Sequence, residues 1–323
     1  MNCVDNGERS ARNAAGNGDI DGFEVETLKP RSAETGGMTR KQTPNRRQYL
    51  TALGAGGVAA LAGCMGGNGD GDGDGNGNGG SDGNPETVVI GSDIPYEPFE
   101  YRNEAGELLG FDVDIAEAVF ADQLGLDYEF EQTGFDGIIA SLNNANFRVI
   151  MSAMTINETR AEQVDFSDPY FTAYQTVLVL EGGDIAERAD IQGATVGVQR
   201  GTTGEAAAED LQSEFDGDLE IQSYDQITGA FDALLNNQVS AVINDNTVSA
   251  DFAAETDGVV FLEGDGVAAD RDDAPDYLTL TIEEYGIAFR QDDDEFRGEV
   301  NDALAAIRED GTYEEIYDEY FAA

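Results

Sequence analysis

Arg160 stands in the run Met151 to Tyr170, MSAMTINETRAEQVDFSDPY, just behind Ser152, Thr155 and Asn157. A guanidinium is a rigid fork of donors that fits a carboxylate at two points, and nearby hydroxyls and amides can supply the remaining hydrogen bonds. Asn157 has the chemistry of a helix N-cap. That puts Arg160 in a first helical turn, where free backbone N–H groups favour an anion. The run therefore reads as a seat for a small carboxylate, although a capped helix with a surface arginine fits the same letters.

Composition narrows the chemistry. The chain has 66 Asp and Glu against 17 Lys and Arg, a formal charge of −49 over 323 residues, and past Cys64 it carries 59 acidic residues, nine Arg and no Lys. Such a surface repels phosphate backbones, so nucleic-acid binding has no electrostatic footing. Beside that charge stand 40% hydrophobic residues and clear periodic segments. The chain reads as folded and halophilic, with concentrated salt screening its self-repulsion. There is no His, and the two Cys are Cys3 and Cys64. Ser-His-Asp and Cys-His catalysis are excluded, zinc sites lose their usual ligands, and neither metal nor cofactor is expected.

The front of the chain reads as an address and a tether. Arg46 and Arg47 form a twin-arginine pattern ahead of a mildly apolar stretch, Tyr49 to Ala62, too short for the ~20 residues a bilayer span needs. The ending Leu61-Ala62-Gly63-Cys64 resembles a lipobox, in which Cys64 would be lipidated. Residues 1–64 are thus expected to be an N-terminal extension and Tat export signal, with residues 1–37 an over-extended start ahead of Met38. Gly54-Ala55-Gly56-Gly57-Val58-Ala59 has the letters of a dinucleotide fingerprint but no preceding strand. Residues 65–85 are almost all Gly, Asp, Asn and Ser, a solvated leash. Its Asp70 to Gly75 run opens like a calcium loop, but that register ends on Ser81 rather than Glu.

Past Pro85 short β-branched runs alternate with amphipathic stretches. Expected are strands at Thr87 to Ile90, Tyr128 to Glu131 and Val149 to Ala153, a helix from about Asp112 to Leu124 stopped by Gly125, and a short helix from Phe135 to Leu142. This is the rhythm of a parallel sheet. A second series has strands at Thr195 to Val198, Leu219 to Gln222 and Ala241 to Ile243, with helices opened by Gly201-Thr202-Thr203, around Ile227 to Leu235, and after Asp245. Extended runs Thr176 to Leu180 and Leu278 to Ile282 bracket it and read as two crossovers between lobes. Helices near Asp294 to Arg308 and Tyr313 to Tyr320 then return to the first lobe. The expected fold class is α/β with two lobes, residues 86–175 plus 280–323 and residues 176–279, and a ligand cleft between them.

Several motifs in order carry a resemblance: Asp93-Ile94-Pro95-Tyr96-Glu97-Pro98-Phe99-Glu100, Gly110-Phe111-Asp112-Val113-Asp114, Phe135-Asp136-Gly137-Ile138-Ile139, Arg160, Asp165-Phe166-Ser167-Asp168-Pro169-Tyr170, Gly201-Thr202-Thr203 and Asp310-Gly311-Thr312-Tyr313. From about Val88 to Phe321 the chain resembles the family 3 extracellular solute-binding proteins of ABC importers, those for polar amino acids, in a haloarchaeal form. The resemblance implies a periplasmic-binding-protein-like, type II (Venus-flytrap) receptor, lipid-anchored on the outer face of the membrane, that delivers a free amino acid to a permease and its ATPase. It implies that Arg160 clamps the ligand α-carboxylate, helped by the Thr155 hydroxyl and by the backbone around Thr202 and Thr203, and that Asp245 takes the α-ammonium. Tyr96 and Phe135 would sandwich the aliphatic stem, with Asp93 near the side-chain end, permitting a basic or amide side chain and disfavouring an acidic one.

Physics is consistent with that picture, since a zwitterion needs an arginine and a carboxylate brought together away from water. Phe99 and Phe166 read as core, and Arg200 as either a second cation at the cleft or a surface residue. Two departures from the family pattern stand out. Ala145-Asn146-Phe147-Arg148 has a cation where a carboxylate is usual, and Asn157-Glu158-Thr159-Arg160 leaves nothing obvious to orient the guanidinium. The rival reading is an enzyme on the same fold, a dehydratase of cyclohexadienyl or arogenate type, which needs a placed general acid with no His available.

Overall fold

The computed structural model describes residues 87–271 and 274–322. The export signal with Arg46 and Arg47, the lipidation candidate Cys64 and the leash at 65–85 lie outside the described residues.

Two sheets organise the chain. The first has five strands in the order Asp127–Gln132, Thr87–Ser92, Val149–Ile150, Ala288–Phe289, Asp165–Phe166. Its first three strands run parallel, but Ala288–Phe289 is antiparallel to both neighbours, so the sheet is mixed rather than parallel throughout. The second has six strands, with Val259–Phe261, Phe171–Leu180, Ala241–Asp245, Thr195–Gln199 and Glu220–Tyr224 in line. Its sixth strand, Thr279–Tyr285, pairs antiparallel with Phe171–Leu180, from Tyr285 opposite Phe171 to Thr279 opposite Thr176. These two strands carry the chain out of the first sheet and back to it, longer than the runs anticipated and hydrogen-bonded to each other.

Helices cover the sheets. Thr203–Glu214 is capped by Thr202, whose hydroxyl oxygen accepts from the Glu205 N–H at 3.2 Å. Ile227–Leu235 buries Ile227, Ala230, Phe231 and Leu234, an i, i+3, i+4, i+7 face, with Ala233 beside it. The helix foreseen over 112–124 differs: Phe111–Ala116 is α-helical, then Glu117–Gln123 winds as a π-helix. The wider turn brings Ala118, Val119 and Phe120 inside together and leaves Leu124 half-buried. Gly125, at φ +67°, ends it.

An aromatic cluster ties the crossover strands to the first lobe. Phe171 and Tyr285, facing each other across those strands, stack at 5.5 Å, and Phe99, Phe111 and Phe321 surround them. The C-terminal helices Asp294–Glu309 and Thr312–Phe321 close over this core, Phe296 stacking on Phe120 at 6.1 Å. Phe99 is fully buried and Phe166 half-buried.

The unusual turn before Val149 is accounted for by packing. Ala145 takes a left-handed φ of +58°, and the Phe147 ring fills the space beside Gly91. Arg148 pairs with Asp293 at 3.0 Å and lies over Phe296 at 3.6 Å, so its cation is used structurally.

Candidate functional site

The third strand of the first sheet stops two residues along. It was expected to reach Ala153 but ends at Ile150, because Asp112 Oδ2 accepts the Ala153 N–H at 2.9 Å and Ala153 adopts φ +45°. That kink turns Ser152 and Thr155 out of the sheet and into a cavity. The Ser152 hydroxyl accepts the Asp93 N–H at 3.0 Å and donates to Glu100 Oε1 at 2.8 Å.

Asp93, Tyr96, Phe135, Ser152, Thr155, Arg160, Thr202, Thr203 and Asp245 line this one cavity together with Gln199, around about 300 Å³ of empty volume. The nine residues singled out in the sequence thus come together from both sheets.

Arg160 is 7% exposed. Asn157 caps its short helix, its Oδ1 accepting the Arg160 N–H at 2.9 Å. The guanidinium is oriented by backbone: Nη1 donates to Thr155 O at 2.7 Å and Nη2 to Gly201 O at 3.3 Å, with the Phe135 ring 5.2 Å away. Carbonyls on either side of the cavity therefore do the work of the absent neighbouring carboxylate. Burial lowers its pKa, while Glu283 and Asp245 hold the charge in place.

Asp245 ends the strand Ala241–Asp245 and is 6% exposed. Its carboxylate accepts from Tyr96 Oη and, at 2.7 Å, from Gln175 Nε2. Burial, then the charge of Glu283, pushes its pKa up to about 7, opposed by the Tyr96 hydroxyl and by Arg160. Asp93 is also buried and its pKa is raised by that burial; Gln199 Nε2 donates to its Oδ2. The Tyr96 hydroxyl also lies 3.1 Å from Asn244 Oδ1. Thr202 and Thr203 open the helix Thr203–Glu214, and the Thr203 hydroxyl accepts from Gln175 Nε2 at 3.1 Å and sits 3.4 Å from the Thr155 hydroxyl. Free N–H groups of that helix start and the Arg160 fork make one end of the cavity suited to an anion, and the buried acids Asp245 and Asp93 suit a cation.

Arg200 is not part of the cavity; it pairs with Asp225 at the surface. Gln199 was missed, although an amide closing a strand directly before Arg200-Gly201-Thr202-Thr203 was the available signal. Gln175 and Asn244 were missed too. Their cue is polarity inside otherwise apolar, fully buried strands. Among the described residues no group of three or more His, Cys, Asp or Glu is placed to hold a metal ion, and no helix is long and apolar enough to cross a membrane.

Comparison with known proteins gives a consistent picture. Residues 88–323 match the model of the bacterial extracellular solute-binding proteins, family 3. The chain is 30% identical over 236 residues to ABC transporter arginine-binding protein 1 of Escherichia coli, covering 73% of this chain and 91% of that one. It is 30% identical over 239 residues to the histidine-binding periplasmic protein of Salmonella typhimurium, 73% and 88% covered. Among solved structures, an ancestral arginine-binding protein bound to arginine superposes with a TM-score of 0.65 at 34% identity, over 73% of this chain and 98% of that chain. An ancestral arginine-binding protein bound to glutamine superposes with a TM-score of 0.65 at 34% identity, over 73% of this chain and 98% of that chain.

Proposed function

Since this chain belongs to the bacterial extracellular solute-binding proteins, family 3, and has the two-lobed type II fold of its amino-acid-binding neighbours, we propose that it is a receptor for a polar amino acid with a basic or amide side chain, serving an ABC permease and its ATPase. Cys64 anchors it by lipid to the outer face of the membrane after Tat export directed by Arg46 and Arg47.

One observation carries the ligand assignment: a buried arginine and a buried aspartate, Arg160 and Asp245, line the same cavity. A zwitterion presents its two charges on one carbon, and this pair meets both where water is excluded. Each such charge-assisted contact is worth about 1.5–3 kcal/mol. Asp93 and Gln199 supply a further carboxylate and an amide, which favours a guanidinium, ammonium or carboxamide and disfavours a side-chain carboxylate by like-charge repulsion. Two relatives are named for arginine and histidine, and ancestral arginine-binding proteins were solved with arginine and with glutamine, which agrees with this range, while a further relative is named for L-cystine.

Calorimetric titration of the twenty amino acids in molar salt tests the reading, and basic or amide side chains are expected to bind tightest. Silence toward all twenty overturns it, and turnover of prephenate would move the chain to the dehydratases. For the anchor, a Cys64→Ala chain expressed in a haloarchaeal host should leave the membrane fraction and appear in the medium.

A further inference from the structure

A carboxylate that the receptor reading does not use lies behind the cavity. Glu283 sits on the returning strand Thr279–Tyr285, between the exposed Ile282 and Glu284, and is itself 2% exposed. Its Oε1 accepts the Thr281 hydroxyl, and its Oε2 has no hydrogen-bond donor. A buried anion with an oxygen to spare is tolerated only near a counter-charge. Arg160 answers it: Glu283 is the strongest single charge acting on that guanidinium, ahead of Asp245. Glu283 is also the strongest charge opposing ionisation of Asp245.

The groups facing Glu283 are therefore Arg160 from the helix Glu158–Ala161, Asp245 from the strand Ala241–Asp245, and Tyr285 on its own strand. The backbone makes this proximity firm. Thr155, whose carbonyl holds Arg160, bridges to Tyr285, and the Ile156 N–H donates to Glu284 O at 2.8 Å. The Arg160 guanidinium thus stands in the field of two buried acids, of which one lines the cavity and the other does not.

That balance has a chemical consequence. A lone carboxylate entering the cavity would be the third anion around a single cation. An ammonium carried on the same molecule restores neutrality beside Asp245. We propose that Glu283 is a positioning residue that sets the charge balance of the cavity, so that a ligand must bring an amine with its carboxylate and the 2-oxo acid of the same shape is turned away. The proposal rests on the amino-acid receptor reading.

Titration of the full chain with arginine, glutamine and their 2-oxo acids in molar salt, comparing wild type with Glu283→Gln and Glu283→Asp, tests it. At about pH 8, where Asp245 is largely ionised with or without Glu283, wild type and E283D should prefer the amino acid strongly, and E283Q should narrow that preference by about tenfold, the scale of one charge acting across a protein interior. A pH series adds a readout that mere structural support would not move. Ammonium binding needs ionised Asp245, so affinity falls as pH drops through the Asp245 pKa, about 7. Without the Glu283 charge that midpoint moves to lower pH in E283Q and stays in E283D.

An unchanged amino-to-oxo ratio with an unchanged midpoint in a folded E283Q overturns the proposal while the receptor reading stands. A wild type that binds neither amino acid overturns both. If E283Q does not fold, Glu283→Leu, which removes the charge and releases only the half-buried Thr281 hydroxyl, carries the same comparison with the same two outcomes.

Discussion

Removing Arg160 is the sharpest test of the cavity. The guanidinium is 7% exposed and already holds Thr155 O at 2.7 Å and Gly201 O at 3.3 Å, so a ligand carboxylate meets donors fixed from two directions. Arg160→Ala would leave that carboxylate buried and unpaired, a loss of about 3–5 kcal/mol, roughly a hundredfold to a few thousandfold in affinity. The charge of Arg160 also favours ionised Asp245, so the ammonium end weakens in the same direction. Arg160→Lys keeps a charge but not the fork, and a loss of about 1.5–3 kcal/mol is expected, roughly tenfold to a hundredfold. Calorimetry in molar salt with the tightest-binding amino acid measures both, with thermal melts showing that the variants fold. Binding by a folded Arg160→Ala within about threefold of wild type, under about 0.7 kcal/mol, would refute the reasoning.

Other expectations follow from buried acids and close packing. Asp112 and Glu100 are fully buried, and burial pushes Asp112 up to about 6 and Glu100 well above the usual carboxylate range; Glu100 Oε2 has no donor unless it shares a proton with Asp112. Because the folded pKa is raised, this stability is present below about pH 4 and is lost as pH rises through 6. Melting temperatures in molar salt should therefore fall from pH 4.5 to 8, and by less in Glu100→Gln, whose amide replaces the shared proton. Gly91→Ala would put a methyl 2.3 Å from the Phe147 ring, costing about 1–3 kcal/mol in urea melts, with Phe147→Leu restoring part of it. Lowering salt from molar to ~0.1 M should depress the melting temperature steeply, since exposed like charges are then unscreened, yet shift ligand affinity at a temperature where the chain stays folded by less than about threefold, because the cavity charges are buried.

What the letters revealed and what they hid divides along the range of the interactions. The helix around Ile227 to Leu235 was legible because an apolar period is local, and Gly201-Thr202-Thr203 announced the start of Thr203–Glu214. Motif spacing likewise brought forward nine residues that share a cavity. The early end of Val149–Ile150 was not legible, since it depends on Asp112, 41 residues away, capturing the Ala153 N–H. Nor was the mixed first sheet, because Ala288–Phe289 is only two residues long and gains its place by pairing with Val149–Ile150 and Asp165–Phe166. Gln175 and Glu283 were hidden for the same reason. Their partners, Asp245, Thr203 and Arg160, come from other parts of the fold.

The paired crossover strands explain why the site belongs to both sheets at once. Gln175 lies on the outgoing strand and Glu283 on the returning one, and the ladder fixes their offset, Gln175 opposite Thr281 and Ala173 opposite Glu283. From that ladder Gln175 reaches Asp245 and Thr203 in the second sheet's territory, while Glu283 acts on Arg160, which hangs from the first. Neither residue need touch a ligand to matter. Any relative shift of the strands would change the distance between Glu283 and Arg160 and the hold of Gln175 on Asp245 together. The charge state of the cavity and the geometry of its walls are therefore coupled through one antiparallel ladder, and a buried polar network of this kind is sensitive to every member being satisfied.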